Sequence, residues 1–312
     1  MKAFGFVLGM IGLLALDSQA FASGEAQAPD APATAAPKAP PPYSLPWQLR
    51  PTAVGNVVRS DTAIAFYEDA AGNGGSTVAS MLLGTYKVTP ELAPFVRLAL
   101  VQNSPPTGES GVALVNPAFG ATYSLKLDDS LRVALFLGLT LPVGMGGGDS
   151  PDAATKAARG SGVLARSAMD NAMFSVNDFT VFPGVGVSYV KSGLTVQAEV
   201  TVLQLTRVRG EKDQADSSKT NSTMGLHVGY FVTPMLSLGG EIRYQRWLTT
   251  PTFVEKNSAM RDTVTFAVGP RLHFKIGKTS WCRPGIAYAR GLDDPMSAQK
   301  YNIVQVDVPV SF

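Results

Sequence analysis

From about residue 53 onward, apolar side chains recur at every second position in segment after segment. Leu131, Val133, Leu135, Leu137, Leu139 and Leu141 interleave with Arg132, Ala134, Phe136, Gly138, Thr140 and Pro142. The stretches Val264 to Ile276 and Leu226 to Val232 behave alike. So does the closing run, in which Val304, Val306, Val308, Val310 and Phe312 alternate with Gln305, Asp307, Pro309 and Ser311. A period of two places each set on its own face of a β-strand. One face is then apolar and the other small, polar or charged. Each segment has about the length of a tilted membrane-crossing strand, roughly 9–11 residues. A soluble β-sandwich alternates too, so this pattern alone does not separate the two.

The connections do separate them. Tight turns are expected at Thr89-Pro90-Glu91, Asp128-Asp129-Ser130, Lys191-Ser192-Gly193, Thr233-Pro234-Met235 and Gly277-Lys278-Thr279-Ser280. Longer polar loops fall between them, near 68–76, 103–111, 144–177, 208–221, 249–262 and 291–300. Strict alternation of short and long connections predicts an all-β, closed, antiparallel up-and-down transmembrane barrel of about twelve strands, with short periplasmic turns and long extracellular loops. Tyr86, Tyr123, Tyr189, Tyr230, Phe274 and Phe312 recur near the ends of alternate strands. One hairpin repeats about every 40 residues. These six aromatics form the expected girdle at the periplasmic interface.

The terminal alternating strand ending on Phe312 resembles the C-terminal assembly signal of bacterial outer-membrane barrels. Over residues 53–312 the chain resembles Gram-negative, porin-like barrels of about twelve strands. The resemblance implies the outer membrane as location, its lipids as surroundings, and the barrel-assembly machinery as a partner engaging the C-terminal strand.

The beginning of the chain fits that route. Lys2, the apolar run Phe4 to Leu16 and Ala20-Phe21-Ala22 read as a signal peptide over residues 1–22, cleaved after Ala22. The apolar run is shorter than the roughly 20 residues that span a bilayer. Residues 23–46, rich in alanine and proline, are expected to be a disordered periplasmic tail, with the barrel occupying 47–312. Charged residues make up 16% of the chain, below the roughly 25% of soluble domains. The net charge of +2 gives no argument for nucleic acid.

If the apolar face meets lipid, the opposite parity faces the lumen. Its expected basic members are Arg59, Lys87, Arg97, Lys126, Arg132, Arg243, Arg271, Lys275 and Arg283. Glu199, Glu241, Asp61 and Asp307 are acidic members, and His227 shares the same parity. These groups either form a salt-bridged plug, as in a structural or adhesive barrel, or line a water-filled channel for small polar solutes, anions among them. The inward glycines Gly120, Gly138, Gly184, Gly186, Gly225, Gly229 and Gly269 are expected to leave open space.

Loop 144–177 carries an expected N-cap at Ser150, Pro151 at the first helical position, a helix over 153–159 and a stop at Gly160. It either folds inward as a constriction, lies over the mouth as a lid, or is a surface loop without a role. Gly148-Asp149-Ser150 resembles a hydrolase nucleophile motif, but the downstream Asp-x-x-His of that family is missing, and both histidines, His227 and His273, point inward. Lipid hydrolysis is the weaker reading, and no catalytic residue is assigned. Two histidines and one cysteine without ligand spacing offer no metal site, and no cofactor is expected.

Overall fold

The computed structural model describes residues 43–210 and 216–312. The expected signal peptide and residues 23–42 of the expected tail lie outside these. The chain forms a closed antiparallel barrel of 12 strands. Its staves are β1 (Val57–Glu68), β2 (Gly74–Thr85), β3 (Leu92–Ser104), a broken stave of β4 (Gly111–Leu114) and β5 (Ala118–Lys126), β6 (Leu131–Thr140) and β7 (Asp178–Lys191). They continue with β8 (Leu194–Arg207), β9 (Ser218–Thr233) and β10 (Leu236–Trp247). Next come β11 (Asp262–Leu272) with β12 (Phe274–Ile276), β13 (Ser280–Cys282) with β14 (Gly285–Gly291), and β15 (Asn302–Ser311). β1 pairs with β15 from Val57↔Ser311 to Phe66↔Asn302, which closes the sheet and leaves no edge.

The five tight turns fall where expected, and three of them show a local cause directly. Ser192 and Gly193 both have positive φ, the conformation a two-residue hairpin needs. The Asp128 carboxylate accepts from Ser130 N and Leu131 N, and the Thr89 hydroxyl accepts from Glu91 N and Leu92 N. Alternation decides which side each residue faces. Ile242 is 54% exposed on the outer surface, whereas Glu241 and Arg243 on either side of it are buried within. Leu137, Val228, Val268 and Leu272 are likewise exposed outward. An apolar band of this kind, polar only inside, is the wall a bilayer requires. No helix among the described residues is long and apolar enough to cross a membrane.

The long loop between β6 and β7 turns inward. Its helix α1 (Ala153–Ala165) packs along the inner wall of β2, β3 and β4, and a single turn, α2 (Asn171–Phe174), follows. Asp152, rather than Ser150, is the N-cap, its side chain accepting from Thr155 N at 2.8 Å. The helix also runs through Gly160 to Ala165. Exposed Gly160 is tolerated because the next turn is fixed by packing: Gly162 lies so close to Phe174 and Val101 that a Cβ there would meet their side chains at 2.6–2.8 Å. The wall is prepared for this filling. β8 changes its inward residues from Thr195, Gln197, Glu199 and Thr201 to buried Leu203 and Leu205 towards the extracellular end.

Candidate functional site: an occupied lumen

Two pieces of chain fill the barrel. From the periplasmic side, residues 43–52 enter, turn and leave to begin β1. Tyr43–Pro46, expected in the disordered tail, belong to this lumenal segment. Its backbone donors find acceptors on the wall. Ser44 N donates to Thr195 Oγ1 at 2.9 Å, Trp47 N to Glu241 at 2.8 Å and Arg50 N to Glu199 at 2.6 Å. The Arg50 guanidinium pairs with Glu199 at 2.5 Å and lies 4.2 Å from the Phe136 ring centroid. Trp47 and Leu49 are each only 1% exposed.

The inward glycines therefore accommodate packed groups instead of leaving open water. A Cβ on Gly225 would meet Leu49 at 2.5 Å, and one on Gly229 would meet Ser44 at 2.1 Å. Gly184 and Gly138 receive the rings of Phe136 and Phe182 at 2.0 and 2.2 Å. Absence of a side chain marks a close approach here, and the approaching group occupies the space.

From the extracellular side, the end of the β6–β7 loop reaches the middle of the lumen. Arg166 pairs with Asp61 at 2.8 Å and with Asp170 at 3.0 Å, and Asp170 pairs with Arg97 at 2.7 Å. Burial alone would raise the Asp170 pKa, but Arg97 and Arg166 hold it well below the ordinary carboxylate range. Ser167 and Ala168, between the paired residues, both have left-handed φ, at 54° and 52°. Such a backbone costs about 1–3 kcal/mol per residue and persists only where surrounding contacts hold it. One such contact is the Arg243 Nη1 hydrogen bond to Ser167 Oγ at 3.2 Å.

The wall residues complete a continuous network. Asp61 accepts from Gln305 at 3.0 Å, and Gln305 Oε1 accepts from Arg243 at 3.1 Å. Arg243 pairs with Glu241 at 2.5 Å, and Glu241 holds Trp47 of the periplasmic segment. Beside it, Asp307 bridges Arg59 at 2.7 Å and Arg271 at 2.5 Å. Arg59 also donates to the Trp47 carbonyl, while the Arg271 guanidinium lies 4.4 Å from the Trp47 ring centroid. Buried charges of this kind are tolerable only when paired and hydrogen-bonded.

Of the residues expected in the lumen, Arg97, Glu199, Glu241, Arg243 and Arg271 thus meet in or beside one network. Arg132 lies apart near the periplasmic end, partly buried and within electrostatic range of Tyr43. His227 is fully buried with Nδ1 3.8 Å from Glu241, and neither ring nitrogen makes a hydrogen bond. Lys87, Lys126 and Lys275 are exposed around the tight turns instead of lining the lumen, because their strands have ended or are ending there. Tyr86, Tyr123, Tyr189, Tyr230 and Phe312 are exposed at the periplasmic end, and Phe274 is half-buried. Tyr86 lies just beyond β2, its N still donating to Pro94 O across the hairpin.

The sequence reading missed Trp47, Arg50, Arg166 and Asp170. Only the last two left a signal, an Arg–Asp pair at the i,i+4 spacing that stabilises a helical turn. Ser150, of the hydrolase-like motif, is exposed. Among the described residues a serine and a histidine meet in a buried contact, Ser237 Oγ to His273 Nε2 at 2.8 Å. His273 packs against the Phe231 ring and near Arg271 and Arg283, and among the described residues no carboxylate pairs with it to orient it as a base.

Above the network a cavity of about 550 Å³ lies between the inward loop and the wall formed by β8–β11. It is lined by α1 on one side and by Gln245, Trp247 and Thr263 on the other, and reaches down to Ala168 and Asn171.

No protein-family model matches the chain, and no curated protein matches it in sequence. Solved structures do match in fold. An outer membrane channel from Pseudomonas putida F1 superposes with a TM-score of 0.52 at 14% identity, covering 85% of this chain and 98% of that one. The NanC porin (TM-score 0.49, 11% identity, 81% and 98% coverage) and the KdgM porin (0.47, 11%, 81% and 99%) are similar at a lower level. By fold, the chain is a closed antiparallel β-barrel of 12 strands, similar to that outer membrane channel.

Proposed function

We propose that the chain is a channel for passive diffusion of small polar solutes, anions among them, across the outer membrane. The observation that carries this reading is how the lumen is closed. Towards the extracellular end the inserted loop meets apolar wall at Val101, Leu203 and Leu205. At mid-height, however, the wall is polar inside, and both segments are attached to it by hydrogen bonds and ion pairs. Such contacts can be exchanged for water, whereas a fused apolar core cannot. The cavity above the network is the extracellular entrance. In this reading the barrel needs no catalytic residue, and the strand ending at Phe312 is what the assembly machinery engages.

A second reading, a structural or adhesive barrel with a permanently plugged lumen, is favoured by the same ion-pair network. Planar bilayers separate the two. Purified protein should give discrete conductance steps, with a reversal potential in a KCl gradient displaced towards chloride. Arg132→Glu, which reverses a lumenal charge outside the network, should move that potential towards potassium. A protein that inserts and gives no steps would support the plug and overturn the channel.

A further inference from the structure

The entrance cavity contains one cation that differs from the other deep arginines. Arg50, Arg59, Arg97, Arg166, Arg243 and Arg271 each have a carboxylate partner at 3.0 Å or less. Arg159, on the cavity side of α1, has none among the described residues. Its Nη1 donates to the Phe174 carbonyl at 3.0 Å, and its buried Nε makes no hydrogen bond. The carboxylates nearby are engaged elsewhere. Asp178 is paired with Lys219 at 2.9 Å and with Arg207 at 3.6 Å. Asp216 Oδ1 accepts from Thr252 N, and Asp149 is exposed at the mouth. Burial lowers the Arg159 pKa, yet a guanidinium keeps its charge near neutral pH. Asp178 acts on Arg159 only from beyond pairing distance and is shared with two other cations. Arg159 is thus a partly desolvated cation with no carboxylate of its own, a cost that a bound anion would reduce.

The rest of the lining says what the anion carries. Across from Arg159, Trp247 and Phe253 meet edge to face, with ring centroids 5.2 Å apart. Val163 and Leu164 of α1 and Met260 add further apolar surface. A bare inorganic anion would leave this surface in contact with water. An anion with an apolar body would cover it.

We propose that this cavity binds a small organic monocarboxylate, its carboxylate on Arg159 and its apolar body against Trp247 and Phe253. This names the solute class of the channel proposed above and rests on that reading. The site requires both parts: charge alone and apolar surface alone each leave half of the lining unsatisfied.

The test is calorimetric titration of the full chain in detergent micelles, corrected for empty micelles, with benzoate as probe. Benzamide, the neutral analogue, and inorganic phosphate, the anion without an apolar body, serve as comparisons. Benzoate should bind, and both comparisons should bind at least about tenfold more weakly, as expected when one charge-assisted pair or one aromatic contact is lost. Arg159→Gln should weaken benzoate at least about tenfold, with Arg159→Lys recovering most of the loss. Phe253→Ala, away from the helix, should weaken benzoate without strengthening phosphate. Benzamide or phosphate binding as tightly as benzoate overturns the site, as does unchanged affinity in a folded Arg159→Gln protein. Conductance of the same preparations keeps the two readings distinct. Conductance without benzoate binding overturns the site and leaves the channel; benzoate binding without conductance does the reverse.

Discussion

Replacing residues 150–175 by a short glycine–serine linker should raise single-channel conductance at least about threefold, because pore-lining width governs flow through the barrel. The replaced stretch contains α1, α2 and the Arg166 and Asp170 side chains that fix the loop to Asp61 and Arg97. Its loss empties the lumen against β2, β3 and β4, where the helix now lies. Asp61 and Arg97 would then face water, in which an unpaired charge is cheap. The barrel should therefore still fold. Selectivity should also change, since the loop's Arg159 and Arg166 leave the path. Conductance equal to that of the intact chain would mean that the loop is not the obstruction.

The second large effect concerns stability. Asp307→Asn should destabilise the barrel by about 3–5 kcal/mol, the usual consequence of removing one partner from a buried ion pair. Asp307 is fully buried and lies between Arg59 and Arg271, so the amide leaves two guanidinium groups without their shared carboxylate. Asp262→Asn makes the contrast. Its partner Arg246 is on the rim, with the two side chains 35% and 45% exposed, and its loss should cost less than about 1 kcal/mol. Urea unfolding of the two variants in phospholipid vesicles measures both. Equal midpoints would show that water already reaches Asp307 and that the interior is not sealed at its level.

Much of the barrel was legible because a membrane wall repeats one rule. Leu131 to Leu141 must alternate whatever they pair with, and turns such as Ser192-Gly193 must supply positive φ. The contents of the lumen obey no period. Trp47, Gln48 and Arg50 are held largely through backbone N–H groups, which every residue but proline carries. The ion pairs join residues far apart in sequence, Arg166 to Asp61 and Arg59 to Asp307, so no local pattern records them. Gly184 and Gly225 show the ambiguity most plainly. A glycine on an inner wall announces that something needs the space, and only the fold shows whether that is solvent, the Phe136 ring or Leu49. Gly160 shows the converse: a helix stop by propensity was overridden by packing at Gly162, two residues on and on the buried face.

The central claim is that the wall encloses a passage and that two inserted segments close it. Removing both tests it most directly: residues 43–52 replaced by glycine–serine sequence in the chain that already lacks 150–175. Glu199, Glu241 and Arg59 would lose their partners in the segment but gain water. In planar bilayers this barrel should hold a steady open pore, with conductance above that of the chain lacking the loop alone. A folded, inserted barrel without conductance would contradict the account.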